Sequence, residues 1–114
     1  VESVKRGDLV TIAVSGDYGK PRPALVVQAD TFAALPSVTV LRLTSDLHPE
    51  HLLRIRVQPT PQNGLRAASQ VMIDKAATVP REKIGKVIGE IDETIMAAVS
   101  RALALFLGLD GVEA

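Results

Sequence analysis

The chain has 114 residues, 46% of them apolar, with 13 basic and 13 acidic side chains and a formal charge of zero at pH 7. That length fits one domain, 1–114, burying about two-thirds of its unfolded surface, and the apolar share excludes a disordered chain. Balanced charge argues against a surface that grips nucleic acid all over, and the lack of cysteine excludes disulfides, thiolate catalysis and Cys-ligated zinc. No apolar run reaches the roughly 18–20 residues of a membrane span. Lys5, Arg6 and Asp8 lead into a strand pattern rather than a signal peptide, so a soluble, cytoplasmic protein is expected.

Strand-length apolar runs follow one another at Leu9 to Val14, Ala24 to Gln28, Val38 to Leu43, Leu52 to Val57, Val71 to Ile73 and Lys86 to Ile91. Ala24-Leu25-Val26-Val27 reads as a strand buried on both faces. Val38 to Leu43 and Leu53 to Val57 alternate with period two and should each keep one wet face, which for the latter carries Arg54 and Arg56. Breakers fill the gaps, the longest from Gln58 to Arg66 with Pro59, Pro61 and Asn63-Gly64. Short strands at this spacing predict a mainly β fold, a small barrel.

A helix closes the chain. Asp92 is placed to cap it, Glu93 to favour its N-terminal dipole and Gly108 to end it. Ile95, Met96, Val99, Leu103, Phe106 and Leu107 share one face at helical spacing. Leu105 and Leu109 make the last turns apolar nearly all round, more than one small barrel covers, and the surplus fits a second copy.

Charge is unevenly placed. Through Gln70 the formal balance is +2 and from Val71 onward −2, so a basic site belongs to the first two-thirds, among Lys20, Arg22, Arg42, Arg54, Arg56 and Arg66. Arg22 is the most constrained of these. It lies between Pro21 and Pro23, each of which fixes its own φ and pushes the preceding residue toward extended geometry. A guanidinium presented on so stiff a lead-in suits bidentate phosphate recognition; a solvated arginine at a strand entry is the plainer alternative. Phosphate-loop, H-E-x-x-H and dinucleotide motifs are missing. His48 and His51, around Pro49-Glu50, read as exposed loop residues rather than metal ligands, and no cofactor is expected. With Phe106 on the helix face and Phe32 anchoring its loop, Tyr18 is the aromatic left, either a stacking platform for a base or a loop tyrosine shielding nearby apolar surface.

Gly19-Lys20-Pro21-Arg22-Pro23-Ala24-Leu25-Val26-Val27-Gln28 resembles the R-P-x-L-V-V/I-Q signature of the MazF/PemK/Kid ribonuclease toxins, and Lys5-Arg6-Gly7-Asp8-Leu9 is similar to their K-R-G-D-I/V opening. Val40 to Ser45 resembles their strand ending in Thr-Ser or Thr-Thr. Ser69 to Asp74 with Thr78-Val79, and then Ile88 to Ile91 with the last helix, continue the likeness in order. The resemblance implies an SH3-like barrel with a terminal helix, a homodimer, and an endoribonuclease of a toxin–antitoxin pair that cleaves single-stranded RNA without a metal and is neutralised by a cognate antitoxin. Arg22 matches the family's catalytic arginine and Thr44 its catalytic threonine. Asp74 matches an aspartate of the acid/base machinery in some members, but those carry an arginine where this chain has Met72, which leaves Asp74 either a base or a structural partner. Many relatives have a Glu-Gln pair in the loop before the arginine; here either Asp17 replaces that glutamate in orienting Arg22 or the feature is absent. Asp17, Tyr18, Lys20, Ser45 and Arg66 are the expected RNA contacts. Two rivals share the fold: gyrase-poisoning toxins of the CcdB type, and a barrel kept only as an interaction module.

Overall fold

The computed structural model describes residues 3–13, 20–109 and 111. Six strands form one antiparallel sheet: β1 (Asp8–Ala13), β2 (Pro21–Val26), β3 (Ser37–Thr44), β4 (Arg54–Val57), β5 (Ser69–Pro80) and β6 (Ile84–Glu90), in the spatial order β4-β5-β3-β2-β1-β6. One α-helix, α1 (Glu93–Leu107), follows. Alternation along the strands divides the apolar residues between two cores. Leu9, Leu25, Leu41 and Leu43 pack with Val57, Val71, Ile73 and Val99 of α1. Val10, Ile12, Ala24, Val26, Val38 and Val40 form the second cluster with Val4.

The edge strands β4 and β6 carry no ladder to each other, so the barrel is open along one seam. The loop between β4 and β5 bridges that seam. The amide of Glu90 donates to the Gln62 carbonyl at 2.9 Å. The Asn63 side chain, 4% exposed, ties its own loop by accepting from the amides of Thr60 and Leu65 and donating to the Gln58 carbonyl. Gly64 adopts φ +70° and approaches β6 so closely that a Cβ there would lie 2.1 Å from the Ile88 carbonyl oxygen. A side chain is excluded by both facts.

Helix α1 starts and stops where its sequence signals lie. The Asp92 carboxylate accepts from the Ile95 amide at 2.8 Å, and the chain leaves the helix at Gly108. Val99 is fully buried, with Ile95, Met96, Ala102 and Leu103 packed beside it. Phe106 departs from the expected apolar face: it is 47% exposed, because it lies beyond the part of the helix that rests on β4 and β5. Phe32 is likewise exposed, in a short 3-10 turn.

The largest difference from the expected strands is β5. It continues from Ser69 to Pro80 rather than ending near Ile73, because its second half, from Ala76 onward, pairs with the start of β3. Between the two halves the register breaks: the single β3 residue Arg42 faces four on β5, Met72 to Lys75. A bulge of this size bends the strand.

Candidate nucleic-acid cleft

The sheet opens at the Pro-Arg-Pro segment for a reason of hydrogen bonding. Successive N–H groups along a strand point to opposite edges, and Val27 donates to the Thr39 carbonyl of β3 at 3.2 Å. The β2 positions that face β3 farther along are therefore 25, 23 and 21, and the last two are prolines with nothing to donate. The β2–β3 ladder accordingly stops at Ala24↔Arg42, whereas β2 stays paired to β1 through Pro23↔Thr11, Arg22↔Ile12 and Pro21↔Ala13. Continued by two residues, the β2–β3 register sets Arg22 across from Thr44.

A cleft of about 690 Å³ occupies this opening. Arg22, Arg42, Arg66 and Lys86 line it, joined by the hydroxyl residues Thr11, Thr44, Ser45 and Ser69 and by the apolar side chains of Leu43, Leu65, Met72 and Ile88. No Asp or Glu is among its described lining residues. Thr44 Oγ1 accepts from the amide of Asp46 at 3.0 Å. That fixes the hydroxyl at the strand end and leaves its proton to be donated into the cleft.

The cleft thus gathers four of the expected site residues, Arg22, Thr44, Ser45 and Arg66. Lys20 is exposed just before β2 and is not part of the lining. Asp17 and Tyr18 lie outside the described residues. Asp74 stands apart: its carboxylate is ion-paired with the Arg54 guanidinium, and it does not line the cleft. Burial pushes its pKa upward, but the hydrogen bond and charge of Arg54, aided by its own backbone amide and by Lys75, outweigh that and hold it below the ordinary value. Arg54 and Arg56, expected to share a solvated face, differ for the same reason. Arg56 is exposed, while the Arg54 side chain keeps only 11% of its surface.

The histidines are loop residues. The His48 backbone is held by the amide group of Gln70, whose Oε1 accepts from its N–H at 2.9 Å, and His51 Nδ1 accepts from the Leu53 amide. Among the described residues no three His, Asp or Glu side chains are grouped as a metal site.

Lys86 was absent from the sequence-based list of cationic residues. The signal for it lay in the adjoining Gly85, since a glycine inside a strand marks a bulge or a close backbone approach. Its place in the cleft lining with Arg66 required the fold.

A family model described as the PemK-like, MazF-like toxin of type II toxin-antitoxin systems matches residues 5–107. A probable endoribonuclease MazF from Mycolicibacterium smegmatis is 48% identical over 109 residues, 95% of this chain and 100% of that one. The chain belongs to the PemK-like, MazF-like toxin family. Endoribonuclease EndoA of Bacillus subtilis is a more distant relative, 25% identical over 93% of this chain and 96% of its own. Among solved structures, the MazE-MazF complex from Deinococcus radiodurans superposes with a TM-score of 0.78 at 19% identity, covering 99% of this chain and 100% of that one. A mycobacterial endoribonuclease in complex with its cognate antitoxin gives 0.74 at 24%, covering 96% and 97%. These two establish the MazF-like fold, and the SH3-like barrel expected from the sequence agrees with it.

Proposed function

We propose that this chain is a metal-independent endoribonuclease toxin that cuts single-stranded RNA at a short sequence in the cytoplasm and is neutralised by a cognate antitoxin. The observation that carries this reading is the β2–β3 register, which sets Arg22 across from Thr44 at the mouth of a cleft lined by cations and free of carboxylates among the described residues. Similarity to proteins named as endoribonucleases supports it over the gyrase-poisoning and interaction-module alternatives.

The RNA supplies its own nucleophile. O2′ attacks the adjacent phosphorus, the P–O5′ bond breaks, and the proton lost from O2′ is balanced by one gained at O5′. The products are a 2′,3′-cyclic phosphate and a 5′-OH end. Negative charge grows on the phosphoryl oxygens along this path, and a preorganised bidentate guanidinium stabilises it. Arg22 has that role. A guanidinium keeps its proton throughout the physiological range, which makes it an electrostatic group rather than a base. Thr44 donates its hydroxyl proton to a phosphoryl oxygen and helps hold the phosphate in line for attack. The ion pair with Arg54 favours the structural role for Asp74: a carboxylate with a lowered pKa is a weak proton acceptor at neutral pH.

An antitoxin segment that is acidic and unfolded until bound would complement the cleft and exclude RNA from it. Sequencing the 5′-OH ends that purified protein produces from mixed RNA, with and without EDTA, tests the reading. The expected result is the same set of cuts in both. Cleavage that stops with EDTA and returns with added divalent metal would overturn the internal 2′-OH mechanism.

A further inference from the structure

β6 does not run evenly along β1. Val10 pairs with Val87 and Ile12 with Ile84, so the single β1 residue between them, Thr11, is faced by two on β6, Gly85 and Lys86. Two details show that this bulge is held rather than loose. The Lys86 amide donates to Thr11 Oγ1 at 3.1 Å, and a Cβ on Gly85 would lie 2.4 Å from that same oxygen. Bulges re-aim side chains, and here the residue re-aimed is an exposed lysine lining the cleft that contains Arg22.

We propose that Lys86 is a phosphate-positioning residue: its ammonium holds an RNA backbone phosphate adjoining the one cleaved at Arg22. The inference rests on the nuclease reading above. β1 lies between β2 and β6, which separates the backbones carrying Arg22 and Lys86 by about 10 Å, so the two cations serve neighbouring phosphates of one strand. No carboxylate among the described lining residues neutralises this side of the cleft, although the chain as a whole has as many acids as bases. The ammonium is a strongly hydrated point charge, suited to holding a phosphate without reading a base.

The test uses the whole chain and a single-stranded RNA made uncleavable by a 2′-deoxy sugar at the cut position. Binding is measured as a function of salt for wild type, Lys86→Gln, Lys86→Arg and Gly85→Ala. For one lost phosphate contact on a single strand, the slope of log K against log salt should become shallower by about 0.7. Lys86→Gln should show that loss with oligonucleotides of any sequence, and on cleavable RNA its KM should rise more than its kcat falls. Lys86→Arg should restore the slope. Gly85→Ala, which keeps the lysine and displaces the bulge, should lose it. An unchanged slope and KM in Lys86→Gln, with wild type cleaving RNA, overturns this proposal alone, as does a loss confined to particular sequences. Wild type that neither binds nor cleaves RNA overturns the nuclease reading itself.

Discussion

Arg22 keeps its backbone paired to β1 opposite Ile12, while Pro21 and Pro23 withhold the two N–H groups that would have continued the ladder to β3. Position and opening therefore have one cause, which makes the side chain replaceable without loss of the fold. Arg22→Ala should abolish RNA cleavage while leaving the thermal midpoint near that of wild type, and Arg22→Lys should fail as well because a point charge cannot make the bidentate contact. Wild-type rates in either variant would remove Arg22 from catalysis. Thr44→Val keeps the branched shape and deletes the hydroxyl. Single-turnover cleavage should slow by tenfold or more, about 1.4 kcal/mol of barrier for each factor of ten. His48→Ala with His51→Ala should cut RNA at close to the wild-type rate, because both rings belong to the loop that Gln70 and the Leu53 amide hold.

At the scale of elements, the bend in β5 and the bridged seam shape the cleft. The Arg54–Asp74 pair spans β4 and the bulged stretch of β5, and the Nε of Arg54 is buried without a hydrogen-bond partner among the described residues. A carboxyl whose folded pKa lies below its unfolded value near 3.8 contributes stability that is full above the unfolded pKa and is lost as pH falls through the folded one. Asp74→Asn should therefore unfold at lower urea than wild type at pH 7, and the difference should shrink as pH drops below about 4. A constant difference down to pH 2.5 would mean that the pair contributes no charge-dependent stability. Gly64→Ala should destabilise by about 2 kcal/mol or more, combining a left-handed φ with a backbone clash. Arg66 sits two residues farther along the same loop, so RNA affinity should fall with it.

Much of this was legible in the sequence, and the remainder has identifiable causes. The runs around Leu9, Ala24 and Val38 announce their strands because each is long and apolar enough to be a core strand in any fold. The second half of β5 gave no such sign, since Lys75, Ala76 and Thr78 are exposed and its pairing is set by the register with β3. The roles proposed for Arg22 and Thr44 rest on resemblance to a family, and what sets the two positions across from each other is the β2–β3 register at a ladder ended by two prolines. The partnership of Arg54 with Asp74 was not readable, because twenty residues separate them and only the β4–β5 register makes them neighbours.

At the scale of the molecule, the last turns of α1 leave Phe106, Leu107 and Leu109 at 47%, 61% and 53% exposure. Apolar side chains gathered at one helix end commonly mark an interface, and a symmetric second copy is the simplest cover. Sedimentation at micromolar concentration should give a dimer, and Leu107→Asp should shift it toward monomer. Antitoxin peptide should compete with RNA for the protein. A strict monomer, or antitoxin binding that leaves cleavage untouched, would count against this arrangement.

The cationic cleft belongs to a chain with an isoelectric point near 6.9, in which another hollow, at the start of α1, is lined by Glu90, Asp92 and Glu93 together with Arg56. The near-zero total charge makes any attraction to RNA a local one. At physiological salt the screening length is about 8 Å, so an RNA farther away than that meets almost no net attraction. Under the proposed function, capture should begin once a strand is already at the mouth between β2 and β3. A nuclease built this way should take up little of the bulk RNA around it and should act on an unpaired segment that reaches the cleft.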